Sequence, residues 1–138
     1  MKKVLVLMIA VILTLAMTAC SNIEPSDDGS DAKMINVAIE IDFPDDAEKD
    51  DIQAAMIVEE GTNAMDQLYS YADDNNLEVV LDESSPTIYV TAIDGVEQTD
   101  DAGWVYKIDG EMTMDAADEL KLPEGMKITW AYMSWADL

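Results

Sequence analysis

Between residues 34 and 43 the chain alternates without a break, with Ile35, Val37, Ile39, Ile41 and Phe43 on one side and Asn36, Ala38, Glu40 and Asp42 on the other. Successive side chains of an extended chain point to opposite faces, so a period of two predicts a strand with one buried face. The fold must therefore hold a sheet covered on one side. Pro44, Asp45 and Asp46 stop this strand, and an acidic loop through Asp51 leads to a second strand over residues 54–60, which pairs with the first as a hairpin before Gly61 closes it.

The pattern then changes period. Thr62-Asn63 offers a helix N-cap with Asp66 in the first turn, where the helix dipole favours negative charge. Met65, Leu68, Tyr69 and Ala72 share one face of an amphipathic helix, which Asn75-Asn76 ends. Beyond it, residues 77–81 and 87–93 are β-rich runs, and Asp94-Gly95 signals a turn. Trp104, Tyr106 and Ile108 alternate ahead of a second Asp-Gly turn at Asp109-Gly110. Residues 112–125 read as a loop with a helical turn. The closing strand, residues 127–133, sets Ile128, Trp130 and Tyr132 on one face. This order predicts an α+β fold, a small β-grasp-like domain with a mostly antiparallel sheet of about five to six strands and one helix packed on it.

The first twenty residues belong to another kind of element. Lys2 and Lys3 precede an apolar run over residues 4–16, interrupted by Thr14 alone, and Met17-Thr18-Ala19-Cys20 follows. Charge, apolar core and small-residue cleavage site make a secretory signal, and the run is shorter than the roughly 20 residues of a transmembrane helix. Ala19-Cys20 resembles the lipobox of bacterial lipoproteins, whose cysteine is diacylated and becomes the new N-terminus; Met17 stands where leucine is usual. Cys20 is the single cysteine, with no disulfide partner available in an oxidising compartment. Two acyl chains anchor a protein stably, at about 0.8 kcal/mol per buried methylene. The expectation is a cleaved signal peptide at 1–19, a lipidated Cys20 with an acidic flexible spacer over 20–33, and a domain over 34–138 held by its lipid on the extracytoplasmic face of the cell membrane.

Charge narrows the partners. Thirty acidic residues face seven basic ones, a formal net charge of -23, and histidine is absent. Nucleic acid is excluded as a partner because binding it requires Lys and Arg on phosphates, and docking on anionic lipid is disfavoured for the same reason. A small-molecule ligand, neutral or cationic, or a basic protein surface fits the charge. With no histidine, no arginine and no cysteine beyond Cys20, a nucleophile-base pair cannot be assembled, so no enzyme is expected. The crowded carboxylates Asp45, Asp46, Asp50 and Asp51 are candidate calcium ligands, hard oxygens suiting that ion, although no D-x-D-x-D-G loop is present and a solvated acidic surface is the plainer reading. Trp104, Tyr106, Trp130 and Tyr132 fall on strands, where such rings are more often core. Trp135 lies past the last apolar alternation, so Trp135 with Tyr132, and Trp104 behind them, is the first candidate platform for a flat ligand. Met112, Met114, Met126 and Met133 read as adaptable fillers of gaps.

Gly103-Trp104-Val105-Tyr106-Lys107-Ile108-Asp109-Gly110 resembles the G-W-x-Y-x-x-N-G signature of the transcobalamin C-terminal-like domain family, found in bacterial surface proteins. Thr62 to Leu68, Ile93-Asp94-Gly95 and Ile128-Thr129-Trp130-Ala131-Tyr132 resemble further segments of that family in the same order, with Asp109 in place of asparagine and Met126 in place of aspartate. The resemblance implies a corrinoid or similar cofactor as ligand, because the matching domain of transcobalamin covers one side of cobalamin; it assigns no contacting residue. The expected function is a membrane-anchored, non-catalytic ligand-binding lipoprotein. The alternative is an acidic protein-protein interaction module, associated with calcium.

Overall fold

The computed structural model describes residues 31–138. The expected signal peptide, Cys20 and most of the spacer lie outside the described residues.

The alternating segment forms β1 (Met34–Asp42), with Ile35, Val37, Ile39 and Ile41 buried. After a 3-10 turn at Asp45–Ala47 the chain returns as β2 (Ile52–Glu59), antiparallel to β1. This strand begins earlier than its apolar run suggests, because pairing continues to Ile41 opposite Ile52. Helix α1 (Ala64–Asn75) follows, and then β3 (Val79–Asp82), β4 (Tyr89–Ile93), β5 (Val96–Glu97), β6 (Ala102–Ile108), β7 (Glu111–Met112) and β8 (Lys127–Ser134), with a final 3-10 turn at Trp135–Asp137.

The fold is α+β, and its strands divide into two sheets: five strands in the order β2-β1-β8-β6-β7 and three in the order β3-β4-β5. The expectation of one sheet holds for the hairpin and the closing strands and fails for β3 and β4. Alternation tells a strand which face is buried; it does not say which strand lies beside it. Only β1 and β8 run parallel. Parallel neighbours need a long crossover, and everything from β2 to β7 lies between them, including α1, whose Leu68 is fully buried. That hairpin, helix and inserted last strand make the β-grasp-like layout.

Local chemistry explains the boundaries. Both Asp-Gly pairs are two-residue hairpin turns with positive φ at each residue, 48° and 80° at Asp94-Gly95 and 49° and 89° at Asp109-Gly110, the geometry that matches strand twist. Asn63 caps α1, its Oδ1 accepting from Asp66 N–H at 2.7 Å, and Asn76 ends the helix in the left-handed region at φ 55°. Replacing Asn63 by alanine leaves that N–H without its acceptor. The expected cost is about 1 kcal/mol, read by circular dichroism as a melting temperature lower by about 4–8 °C.

On the outer face of the larger sheet, Lys127 Nζ pairs with Glu40 Oε2 at 2.6 Å, Thr129 Oγ1 donates to the same oxygen at 3.0 Å and Gln53 Nε2 donates to Oε1 at 2.6 Å. Lys127 chiefly holds the Glu40 carboxyl below its usual range, against the opposing effect of burial. The whole buried apolar cluster lies between Ile35 and Trp130, so the unit Ala32–Leu138 carries its own core and folds without the preceding residues.

Candidate functional site

Between β4 and β6 the two sheets leave a cleft of about 330 Å³. Its floor and walls come from Trp104, Val105 and Tyr106 of β6, Trp130 of β8, Met65 of α1 and Ile88 to Val90 around the start of β4. The loop after β7 closes one side with Met112 to Ala117, and Leu138 stands at the mouth. Tyr89, Met112, Met114 and Leu138 are all exposed, Met114 completely. An apolar rim around a mostly apolar cavity of this size is the usual form of a small-molecule site.

Its polar groups are few. Trp130 is 3% exposed, and its indole N–H is buried with no acceptor among the described residues. Leaving such a donor unmet costs roughly 1–3 kcal/mol. Tyr106 lies against Trp130, ring centroids 5.3 Å apart and tilted by 35°, and its hydroxyl donates to Asp115 C=O. Burial, and after it the nearby Asp115 charge, raise the Tyr106 phenol above its ordinary value, so it remains a neutral donor. Trp104, in contrast, is fixed from behind: its indole N–H donates to Val96 C=O at 2.9 Å, and its ring meets Phe43 and Tyr132 edge to face at 5.6 and 5.5 Å.

The main chain of β6 adds donors and acceptors. Ala102 N–H donates to Thr99 Oγ1 and its C=O accepts from Thr99 N–H, both away from β8. Alternation along an antiparallel strand then turns the N–H and C=O of Trp104 and Tyr106 to the same open side, where β7 reaches only Lys107 and Ile108.

Of the three aromatic residues singled out by sequence, Trp104 lines the cleft, while Tyr132 packs on the far side of Trp104 and donates its hydroxyl to Glu97 C=O at 3.0 Å. Trp135 is 39% exposed and lies over Gly103, where a Cβ would come within 2.5 Å of its ring; it is not among the cleft residues. The acidic loop is spread out: Asp51 Oδ1 accepts from Phe43 N–H at 2.9 Å, and Asp45 and Asp46 occupy the 3-10 turn. Among the described residues no three carboxylates come together to hold a metal ion, so Asp45, Asp46, Asp50 and Asp51 do not form one ligand set.

Tyr106 and Trp130 read as core from sequence, and both are packed as core residues while also facing the cleft. Tyr89 carried no signal. The Met-Thr-Met spacing at 112–114 was the available clue, since Met112 at the end of β7 and Met114 just beyond it are both exposed and fill no core.

Comparison with known proteins supports this architecture. A family model described as a domain of unknown function, DUF4430, matches residues 61–134. No curated protein matches the sequence. Seventeen chains of solved structures match its fold. One is haptocorrin in complex with Cbi, with TM-score 0.67 and 16% identity over 75% of this chain; the matched part is 26% of haptocorrin, so this chain corresponds to about a quarter of that protein. Another is a Ruminococcus gnavus protein described as a candidate metal-binding protein, with TM-score 0.52 and 14% identity, covering 72% of this chain and 97% of that one.

Proposed function

The chain belongs to the DUF4430 family, and from that premise we propose that it is a non-catalytic binding domain whose cleft between β4 and β6 takes a flat, largely apolar small molecule bearing a hydrogen-bond acceptor. The observation that carries this reading is the Trp130 indole N–H, buried without an acceptor among the described residues in a side chain that lines the aromatic, methionine-rimmed cleft. The nitrogen is covered while the cleft is empty, so a ligand gains that bond by displacing the side chains packed around it. The exposed methionines suit a broad ring, because their thioethers are polarizable and unbranched. Net charge selects against anionic ligands. A corrinoid is the class favoured by the fold shared with haptocorrin, whose structure holds Cbi.

The same reading places the domain outside the cell, tethered through acyl chains on Cys20, so that it holds its ligand at the membrane surface. The charge supports this: from Cys20 onward thirty acidic residues face five lysines, and a body at -25 has no attraction of its own for an anionic bilayer. Labelling with a palmitate analogue is expected to mark the protein and to fail for Cys20→Ser.

Binding is tested by titrating the unit Ala32–Leu138 with cobinamide, cobalamin and a porphyrin, following tryptophan emission and thermal midpoint. Saturable quenching with a raised midpoint is expected for at least one of them. Trp130→Phe keeps an aromatic, though smaller, ring and removes the donor, and should weaken binding by about tenfold or more, the worth of one hydrogen bond to a neutral acceptor. Absence of quenching and of thermal shift across the panel would remove the proposal.

A further inference from the structure

The outer edge of β2 is unoccupied among the described residues and lacks the devices that usually protect an edge strand. β2 ends the five-stranded sheet, and it pairs with β1 through eight consecutive positions without a bulge. The bond from Glu60 N–H to Lys33 C=O sets the alternation. It turns the main chain of Ile52, Ala54, Met56 and Val58 toward β1 and that of Gln53, Ala55 and Ile57 outward. No main-chain group among the described residues meets the N–H and C=O of those three. Edges in soluble proteins are commonly blunted by lysine, proline or a bulge, yet residues 52–58 contain neither a charge nor a proline. Ile57 is 68% exposed. On the outer face, Gln53 and Ala55 border a shallow groove of about 260 Å³ that runs inward over Ala38 and Glu40 to Lys127.

Charge decides what fits there. The uncharged run is bracketed by Asp50 and Asp51 on one side and Glu59 and Glu60 on the other; Asp51 accepts from Phe43 N–H and Glu60 pairs with Lys33, which leaves Asp50 and Glu59 exposed for a partner. A second copy pairing antiparallel about Ala55 would set each Asp51 against a Glu59 and bring together two bodies of net charge -23, and like charges directly opposite are destabilising. A strand with basic ends meets carboxylates at both places. We infer that the β2 edge is a docking site for an extended segment of a partner protein, apolar at alternate positions and flanked by lysine or arginine, which adds to the sheet as a further strand. Main-chain bonds supply the affinity and the acidic brackets supply the choice of partner.

The probe is a synthetic peptide of alternating valine and threonine with paired lysines at each end, titrated against the unit Ala32–Leu138 at low and high salt. Saturable, salt-weakened binding is expected, with slowed hydrogen exchange at the Gln53, Ala55 and Ile57 amides. Ala55→Pro removes one outward N–H and spares the bonds to β1; it should weaken binding by about tenfold or more with an unchanged circular dichroism spectrum. Ile57→Lys, which leaves the backbone untouched, should do the same through charge. N-methylation of alternate peptide amides should abolish binding, and glutamate ends should prevent it. Equal binding by the N-methylated peptide, unchanged exchange at the three amides, or no binding at all would overturn the inference. So would a homodimer dispersed by Ala55→Pro, since it would make the second copy the occupant.

Discussion

Replacing Leu68 with alanine is expected to destabilise the domain by about 3 kcal/mol, within the range for a fully buried leucine. The side chain is 0% exposed and stands on α1, the only α-helix among the described residues. Its helix carries Ala64, Met65 and Ala72 as further buried apolar contacts, and the two alanines and the methionine cannot fill the space that leucine leaves. For a domain of this size the loss corresponds to a melting temperature lower on the order of 15 °C. Leu68→Met, which nearly conserves volume, should cost under about 1.5 kcal/mol. Calorimetry on the unit Ala32–Leu138 measures both. A loss below about 1 kcal/mol for the alanine variant would mean that α1 is not docked on the sheets as described.

Gly103→Ala is the second large effect, and it separates packing from binding. Glycine stands here for space: an added Cβ would lie 2.5 Å from two atoms of the Trp135 ring and 3.1 Å from Gln98 Cβ. The ring must leave, and its terminal turn, held by Trp135 N–H on Asp101 C=O at 2.8 Å, must shift with it. A cost of about 2 kcal/mol is expected, together with red-shifted tryptophan emission and easier quenching by acrylamide. Ligand binding should be weakened less than by Trp130→Phe, because Trp135 is absent from the cleft and only Leu138, at its mouth, moves with the turn. If Gly103→Ala abolished binding while Trp130→Phe preserved it, the platform would be Trp135 and Tyr132, as the sequence first suggested.

Much of this fold was legible because it rests on short-range chemistry. The period of two in β1 became four buried side chains in a row of alternate positions, the Asn63 cap and the Asn76 stop bound the helix, and both Asp-Gly turns are hairpins. The Gly103 to Gly110 segment announced a transcobalamin C-terminal-like domain, and the DUF4430 match and the haptocorrin fold agree with it. The two-sheet division was not legible, since β3 and β4 look like any half-buried strands and only their partners differ. Neither was the cleft: it arises where the open side of β6 meets the start of β4 and the loop carrying Met112 and Met114, segments that no periodicity connects. The acidic loop is less legible: Asp51 accepts from Phe43 N–H, and among the described residues no three carboxylates come together, an arrangement that adjacency along the chain does not determine.

On the proposed function, a ligand in the cleft between β4 and β6 accepts a hydrogen bond from the Trp130 indole. The chain's three tryptophans give separate indole signals in a proton-nitrogen correlation spectrum of ¹⁵N-labelled Ala32–Leu138. On addition of cobinamide, the Trp130 signal, assigned through Trp130→Phe, is predicted to move downfield as it gains an acceptor, while that of Trp104, already bonded to Val96 C=O, moves less. A ligand that binds and leaves the Trp130 signal in place while shifting that of Trp135 would move the binding site to Trp135.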